Sequence, residues 1–335
     1  MKLKNKYAIG CLVQWYEIEI FEEYLESLKN DLKDIDNKEN VIVDIFFNMA
    51  QNLETIDENQ ITIKEIFNRL IKIRSDLTIN HINSKTNFYP ASPKNVDDKS
   101  LKPYTIADYR REFNDKYCEK VDVLMWGESD SLIPKQTFEI LDKLHLQVKD
   151  KTPKYVAFFS TCKMWDDTWK VLEHPDFTDK PFIEDDYDNW WSVKYTMSLK
   201  EMYKINDKVE DIDLRVLDGF KFNGCGLVIS SEVVKSGVNI PKSVFFVHED
   251  TAFQNVMIKL FGNSIPQYVI KNVLLVHNRN HPKKRMYVKD ERLDGTMNEK
   301  RRSNDWYIKA NKMCEHNAYN LFNQEKVFTW EDVFK

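Results

Sequence analysis

The feature that most constrains the fold is the alternation of strand and helix patterns along the first 150 residues. Short apolar runs typical of strands occur at 7–13, 40–49 and 120–130, and a helical pattern follows each of them. Ile18, Phe21, Leu25, Leu28 and Leu32 form the first such helical face. Strands that alternate with helices usually pair in parallel, because each helix carries the chain back across the sheet. The sequence therefore predicts a Rossmann-like α/β fold with a mixed, mainly parallel sheet flanked by helices.

Boundaries between these elements are marked by turn-forming residues. The segment 80–103 is rich in Asn, Ser, Pro and Lys, which predicts a loop, and Pro134 predicts the start of a helix that runs through Leu146. Another strand is expected within 154–162, and regular elements are expected again beyond residue 218.

Composition argues against several classes of protein. Hydrophobic residues make up 42% of the 335 positions, which is enough for a core without covalent cross-links. The five cysteines are scattered and lack CxxC spacing, so neither a disulfide framework nor a zinc cluster is expected. Free cysteines are typical of a reducing compartment, so a cytoplasmic location is expected. The net charge of -5 indicates no general affinity for nucleic acid. No run approaches the roughly 20 apolar residues of a membrane span, so no transmembrane segment is predicted.

Two carboxylates, Glu128 and Asp130, follow the third apolar run in the stretch LMWGESDSLIP. Ligands of open parallel sheets bind at the carboxyl ends of the strands, and carboxylate oxygens are the ligands that Mg²⁺ and Mn²⁺ prefer. The pair is therefore a candidate metal site. The alternative is that Asp130 caps the helix expected at Pro134 while Glu128 is solvated.

Three further motifs follow in the second half of the chain. Gly224 and Gly226 in NGCGLVIS allow a backbone to approach a ligand closely, although taken alone they are better explained by a simple turn. Glu249 and Asp250 in FFVHED precede a helical pattern, where acidic residues also serve as caps. His277 ends the apolar run NVLLVH and is a ligand candidate or a structural histidine.

The motifs follow one another as an acidic triplet (128–130), a glycine loop (223–226), an acidic helix start (249–250) and a late histidine (277). In this order they resemble the GT-A fold glycosyltransferases, particularly the inverting family-two kind. The resemblance covers residues 7 to about 281. It implies a Mn²⁺ or Mg²⁺ ion held by Asp130, with Glu128 and His277 assisting. Asp250, with Glu249 beside it, is implied as the catalytic base. One departure is that Glu stands at 128 where the family has Asp, which leaves Asp130 the better metal ligand.

The resemblance also implies positions for the nucleotide of a sugar donor. Asn48 and Gln51 follow the second strand, Arg110 lies on the helix before the triplet, and Gly224 and Gly226 line the sugar site. Amides can pair with a uracil edge and an Arg fork matches phosphate oxygens, so a UDP-sugar is favoured. For each residue alone, a polar loop or a solvated helix face is an equal explanation.

Two unusual segments complete the chain. Residues 165–191 hold four of the eight tryptophans in a strongly acidic context, which suits an acceptor pocket for a sugar, a lipid-linked sugar or another hydroxyl, or a small capping subdomain. The basic tail that begins at Arg279 is either a lid over the phosphates or a charged surface segment.

The expected organisation is a catalytic domain over 1–285 followed by a basic, helical extension over 286–335. Residues 1–150 would bind the nucleotide and residues 151–285, including an insertion at 164–210, would bind the acceptor. The sequence thus predicts a hexosyltransferase-like enzyme. Two alternatives remain at this point: a catalytically degenerate protein that binds sugar nucleotides or carbohydrate, and a transferase that glycosylates hydroxylated DNA bases, with nucleic acid a possible but not favoured partner.

Overall fold

The sheet is the organising element of the fold. The computed structural model describes residues 1–50, 63–89, 104–161, 197–207, 209–217, 223–278 and 304–334. The described strands are β1 (Tyr7–Gln14), β2 (Val41–Ala50), β3 (Asn83–Tyr89), β4 (Val123–Glu128), β5 (Ser131–Leu132), β6 (Val156–Thr161), β7 (Leu214–Val216), β8 (Val228–Ser230) and β9 (Gln267–His277). They join in the order β3-β2-β1-β4-β8-β6-β9-β5, and β7 pairs with β9.

Helices connect the strands. The described helices are α1 (Phe21–Lys33), α2 (Ile63–Ile79), α3 (Ile106–Tyr117), α4 (Thr137–Val148), α5 (Leu199–Asn206), α6 (Ser231–Lys235), α7 (Glu249–Phe261), α8 (Asn304–Tyr319) and α9 (Trp330–Phe334). None of them is both long enough and apolar enough to span a lipid bilayer.

The predicted mixed, mainly parallel sheet is confirmed. Strands β3, β2, β1 and β4 pair in parallel, as do β6 and β9, while the shorter pairings that involve β8, β5 and β7 are antiparallel. The chain order reverses between β1 and β4, and such a reversal opens a crevice at the carboxyl ends of the two strands. Glu128 lies at this end of β4, opposite Leu12 of β1.

The two faces of β1 show why the sheet is covered on both sides. Ile9 and Val13 point into a core shared with α1, α2 and α4, whereas Ala8 and Leu12 point into a second core shared with α3 and α7. Successive side chains of a strand alternate between faces, so a continuous apolar run supplies both cores. A smaller apolar cluster joins α7 to the C-terminal helices α8 and α9.

Two expected boundaries differ from the structure. Residues 83–89, expected to be loop, form the edge strand β3. The helix expected at Pro134 begins at Thr137, with Gln136 at its N-cap, so Asp130 is not the cap of α4. The tryptophan-rich segment 165–191, the greater part of the insertion predicted at 164–210 and most of the basic tail from Arg279 lie outside the described residues.

Candidate functional site

The carboxylates at the end of β4 and the histidine at the end of β9 meet in one place. Directly after Asp130 the chain forms the two-residue strand β5, which pairs antiparallel with β9 so that Ser131 lies opposite His277. The amide of Asn278 donates to the carbonyl oxygen of Asp130 over 2.8 Å. Main-chain pairing therefore brings two segments that are nearly 150 residues apart into contact.

Three side chains converge at this junction. The Nε2 atom of His277 lies 3.0 Å from Oε2 of Glu128 and 3.6 Å from Oδ2 of Asp130. Asp130 is buried, while Glu128 and His277 are only partly exposed. The predicted metal residues thus form a single cluster at the carboxyl end of β4.

The electrostatics of this cluster favour a negative charge on Glu128 and a positive charge on His277. Burial alone would raise the pKa of Glu128, but His277 and Arg110 lower it to about 2. Burial alone would lower the pKa of His277, but Cys225, Asp130 and Glu128 hold it well above its ordinary value. The space between the carboxylates therefore stabilises a cation, here the imidazolium.

Arg110 on α3 connects this cluster to the start of α7. Its Nη2 atom donates to Oε1 of Glu128 over 2.6 Å and its Nη1 atom donates to Oε1 of Glu249 over 2.5 Å. Nη2 also donates to the carbonyl oxygen of Gly224 over 3.1 Å, and the guanidinium lies over the ring of Trp126. The side chain is almost fully buried. The structure therefore places Arg110 as a bridge between two carboxylates, and contact of Arg110 with a donor phosphate stays a prediction.

The two acidic residues of the HED motif begin α7. His248 precedes the helix with a φ of 64°, a left-handed conformation that is uncommon outside glycine and that turns the chain sharply. Glu249 is buried against Arg110, whereas Asp250 is partly exposed and accepts a hydrogen bond from the amide of Thr251. The N-terminal end of a helix stabilises negative charge, which suits both carboxylates.

Burial raises the pKa of Glu249 to about 8. Arg110 opposes this shift, while the neighbouring Asp250 and Glu128 add to it. A group of this kind takes up or keeps a proton near neutral pH, whereas Glu128, on the other side of the same guanidinium, remains charged. The two partners of Arg110 are therefore chemically different.

The glycine loop packs directly against these residues. A Cβ atom on residue 224 would lie 2.6 Å from Nη1 of Arg110 and 3.2 Å from Cβ of Asp250, so no larger side chain fits unless these groups move. Gly226 has a φ of 67° and would place a Cβ atom 2.5 Å from the side chain of Leu275. Both glycines are thus required by close approach, and the first of them borders the site.

The nucleotide-binding residues expected from the first half of the chain are less accessible. Asn48 lies at the end of β2, but its buried amide donates to Gln14 and to the carbonyl oxygen of Tyr104 and accepts from Asn87. Asn48 therefore ties strand ends together, and its contact with a nucleotide stays a prediction. Gln51 and Arg279 lie outside the described residues.

The cluster at the end of β4 has the chemistry of a divalent-cation site. Glu128 and Asp130 supply hard oxygen donors and His277 supplies an imidazole nitrogen, a set that suits Mn²⁺ and, through the oxygens, Mg²⁺. An ion bound there would be held by the carboxylate oxygens and by the neutral imidazole nitrogen of His277. The residues present fit the metal that the resemblance implies.

One further residue of this cluster, Cys225, was not predicted from the sequence motifs. One donor atom from each of Glu128, Cys225 and His277 lies within 4.8 Å of the other two. Cys225 stands between the two glycines of the NGCG loop, so its position in that motif was the available signal. Cys225 has no second cysteine at CxxC spacing, which is the usual sequence signal of a metal-binding cysteine. A metal site assembled from distant segments leaves no such spacing in the sequence.

No family model and no curated protein matches the chain. Among solved structures, it is similar to a mannosyltransferase from Pyrobaculum calidifontis in complex with GDP-Man and Mn²⁺, at 9% identity and a TM-score of 0.42. That match covers 82% of this chain and 57% of the mannosyltransferase, so the chain spans little more than half of that protein's length.

Two structures of the glucosyl-3-phosphoglycerate synthase of Mycobacterium tuberculosis are also similar, each with a TM-score of 0.41. One is 9% identical and the match covers 93% of this chain and 79% of the synthase. The other, in complex with Mn²⁺, UDP and glucosyl-3-phosphoglycerate, is 8% identical over 86% of this chain and 82% of the synthase.

Proposed function

We propose that the protein is a glycosyltransferase of the GT-A type that transfers a sugar from a nucleoside-diphosphate sugar to an acceptor hydroxyl with the help of a divalent cation. The observation that carries the proposal is the meeting of four motifs at the carboxyl end of β4. Asp130 and His277 contact each other, Arg110 joins Glu128 to Glu249, and Gly224 packs against Asp250. The stability of the sheet alone does not require these four motifs to meet.

The cation site would serve the leaving group. A divalent ion bound there would offset the negative charge that develops on the departing diphosphate. The chain's own contribution is to hold Glu128 and Asp130 at the end of a buried strand and to keep Glu128 charged through Arg110 and His277. The proposed donor is a nucleoside-diphosphate sugar, with a UDP-sugar favoured.

Asp250 is the proposed base. It is the partly exposed carboxylate at the start of α7, and it packs against the backbone of Gly224. Its neighbour Glu249 is bound to Arg110 and shielded from solvent, so it positions the helix start instead of meeting the acceptor. Removal of the acceptor proton by Asp250 from the side opposite the diphosphate would give a product with inverted configuration.

The test is to incubate the protein with Mn²⁺, a panel of nucleoside-diphosphate sugars and hydroxyl acceptors, and to measure nucleoside diphosphate release and glycosylated product. Asp250→Asn should reduce turnover by about 10²–10⁴-fold while nucleotide affinity changes little, because only proton removal is lost. Asp36→Asn, at an exposed carboxylate paired with the N-terminus, is the matched control and should retain full activity.

Three outcomes would count against the proposal or part of it. A wild-type protein that binds nucleotide sugar but releases no diphosphate with any acceptor would be a binding protein. Undiminished turnover by Asp250→Asn would reject Asp250 as the base. A product that retains the anomeric configuration of the donor, measured by NMR, would reject inversion.

A further inference from the structure

The glycine loop places a thiol beside the carboxylate and the imidazole of the proposed cation site. Cys225 is buried and stands between the two glycines of the loop. A donor atom of each of Cys225, Glu128 and His277 lies within 4.8 Å of the other two. The other described cysteines, at 11, 118 and 314, are also free and buried, but they belong to no such group of donors.

The position of this thiol is fixed by the backbone around it. Gly226 donates its amide to the carbonyl oxygen of Trp126 over 3.0 Å, and Trp126 donates its amide to Leu227 over 2.9 Å. Asn223 accepts the amide of Cys225 over 3.1 Å. The loop is therefore attached to β4 two residues before Glu128, and the thiol and the carboxylate belong to one rigid unit.

The spacing is close to that of a single coordination sphere. Metal–ligand bonds of about 2.0–2.3 Å place the donors of one tetrahedral ion about 3.3–3.8 Å apart. The three donors here are separated by no more than 4.8 Å, and His277 already lies 3.0 Å from Glu128. Small side-chain rotations are sufficient to bring all three to one ion.

We propose that Cys225 is a ligand of the cation site, which makes the site a mixed oxygen, nitrogen and sulfur site that prefers thiophilic ions such as Zn²⁺, Co²⁺ and Cd²⁺ over Mg²⁺. Thiolates select borderline and soft metals, whereas carboxylates alone suit Mg²⁺. The inference rests on the cation site of the proposed function but not on sugar transfer. Binding of the ion releases the thiol proton to solvent as the sulfur–metal bond forms.

The experiment uses the full chain freed of metal with a chelator and titrated with Cd²⁺. A bound thiolate produces an ultraviolet sulfur-to-cadmium charge-transfer band that carboxylate and imidazole ligands do not produce. We expect the band to saturate at one ion per chain in the wild type and to be lost in Cys225→Ser. Cys118→Ser, at a buried cysteine outside the donor group, is the matched control and should keep the band.

Affinities give a second readout. Cys225→Ser should weaken Cd²⁺ and Zn²⁺ binding by about tenfold or more while changing Mg²⁺ binding less than about twofold, since only the soft donor is removed. If Cys225→Ser does not fold, the cadmium NMR shift of the wild type still separates a site with one sulfur ligand from a site with oxygen and nitrogen alone.

Failure of this inference is distinguishable from failure of the proposed function. A full-strength band in Cys225→Ser, or Cd²⁺ bound by the wild type without a band, overturns the role of Cys225 even if sugar transfer is observed. A band that depends on Cys225, in a protein without transferase activity, supports the metal site and contradicts the proposed function.

Discussion

At the residue scale, Arg110 is a buried cation whose two carboxylate partners come from different elements. The resemblance implied a place for Arg110 near the donor nucleotide, on the helix before Glu128 and Asp130. It could not reveal that Glu128 and Glu249 both contact it, because residues 110, 128 and 249 are neighbours only in the folded chain. The same limit applies to Cys225, whereas the place of His277 beside Glu128 and Asp130 was implied by the resemblance to the glycosyltransferases.

Replacing Arg110 with Met should lower the free energy of unfolding by about 3–5 kcal/mol, because it leaves Glu128 and Glu249 without their shared cation. Chemical denaturation measures this effect. The double variant Arg110→Met, Glu128→Gln should recover part of the loss, since Glu128 is the partner that remains charged and its uncompensated carboxylate is removed. Lys143→Ala, which breaks a surface pair with Glu139, is the control and should change stability by less than about 0.5 kcal/mol. A single Arg110→Met variant as stable as the wild type would contradict this role of the bridge.

At the scale of elements, continuous apolar runs were sufficient to predict β1, β2, β4, β6 and β9, because these strands are buried on both faces or nearly so. It was not sufficient for β3, which has the polar sequence NSKTNFY. An edge strand pairs on one side only and buries little, so its sequence resembles a loop. The two-residue strand β5 was also missed, since so short a strand has no period and is defined by its partner β9.

Asp142 on α4 joins that helix to the N-terminal end of the sheet. Its carboxylate accepts from the Tyr7 hydroxyl over 2.6 Å, from the Asn5 amide group over 2.8 Å and from the main-chain amides of Lys4 and Asn5. Burial alone would raise the pKa of Asp142, but these hydrogen bonds lower it below its ordinary value.

Asp142→Ala should therefore destabilise the protein by about 2–4 kcal/mol at neutral pH, because several buried donors lose their acceptor. A lowered folded-state pKa means that the stabilisation is present above the unfolded pKa of about 3.9 and is lost as the pH falls through the folded value. The stability difference between wild type and variant should thus shrink on acidification. Urea unfolding at neutral pH and at a pH below about 3.9 measures this difference in stability, with Asp36→Ala at an exposed carboxylate as the control. A difference that grows on acidification would contradict the assignment.

At the scale of the whole molecule, the C-terminal helices are part of the support of the site. The cluster of Val244, Phe245, Ala252, Met313 and Trp330 joins α8 and α9 to the loop before α7 and to α7 itself. The side chain of Asn317 on α8 donates to the carbonyl oxygen of Ser243, and His248 contacts Asn311. The alternating strand and helix patterns predicted the sheet, and a helical C-terminal extension was also expected, but the packing of this extension behind the start of α7 was not predicted.

Trp330→Ala should lower the free energy of unfolding by about 3–5 kcal/mol, because the indole is buried and meets the ring of Phe245 edge to face at 4.9 Å. It should also reduce turnover, since Phe245 lies in the loop that leads into Glu249 and Asp250. Thermal denaturation and the transfer assay measure the two effects. Phe322→Ala, at an exposed aromatic of the same region, is the control and should have little effect on either. Unchanged stability in Trp330→Ala would show that the C-terminal helices are dispensable for the fold.

The pairing of β5 with β9 has a consequence for how the protein handles metal. Because main-chain bonds already hold Asp130 beside His277, these two residues need not be brought together when an ion arrives. Such preorganisation lowers the entropic cost of metal binding. The occupancy of the cation site should therefore follow the free ion concentration without a slow conformational step.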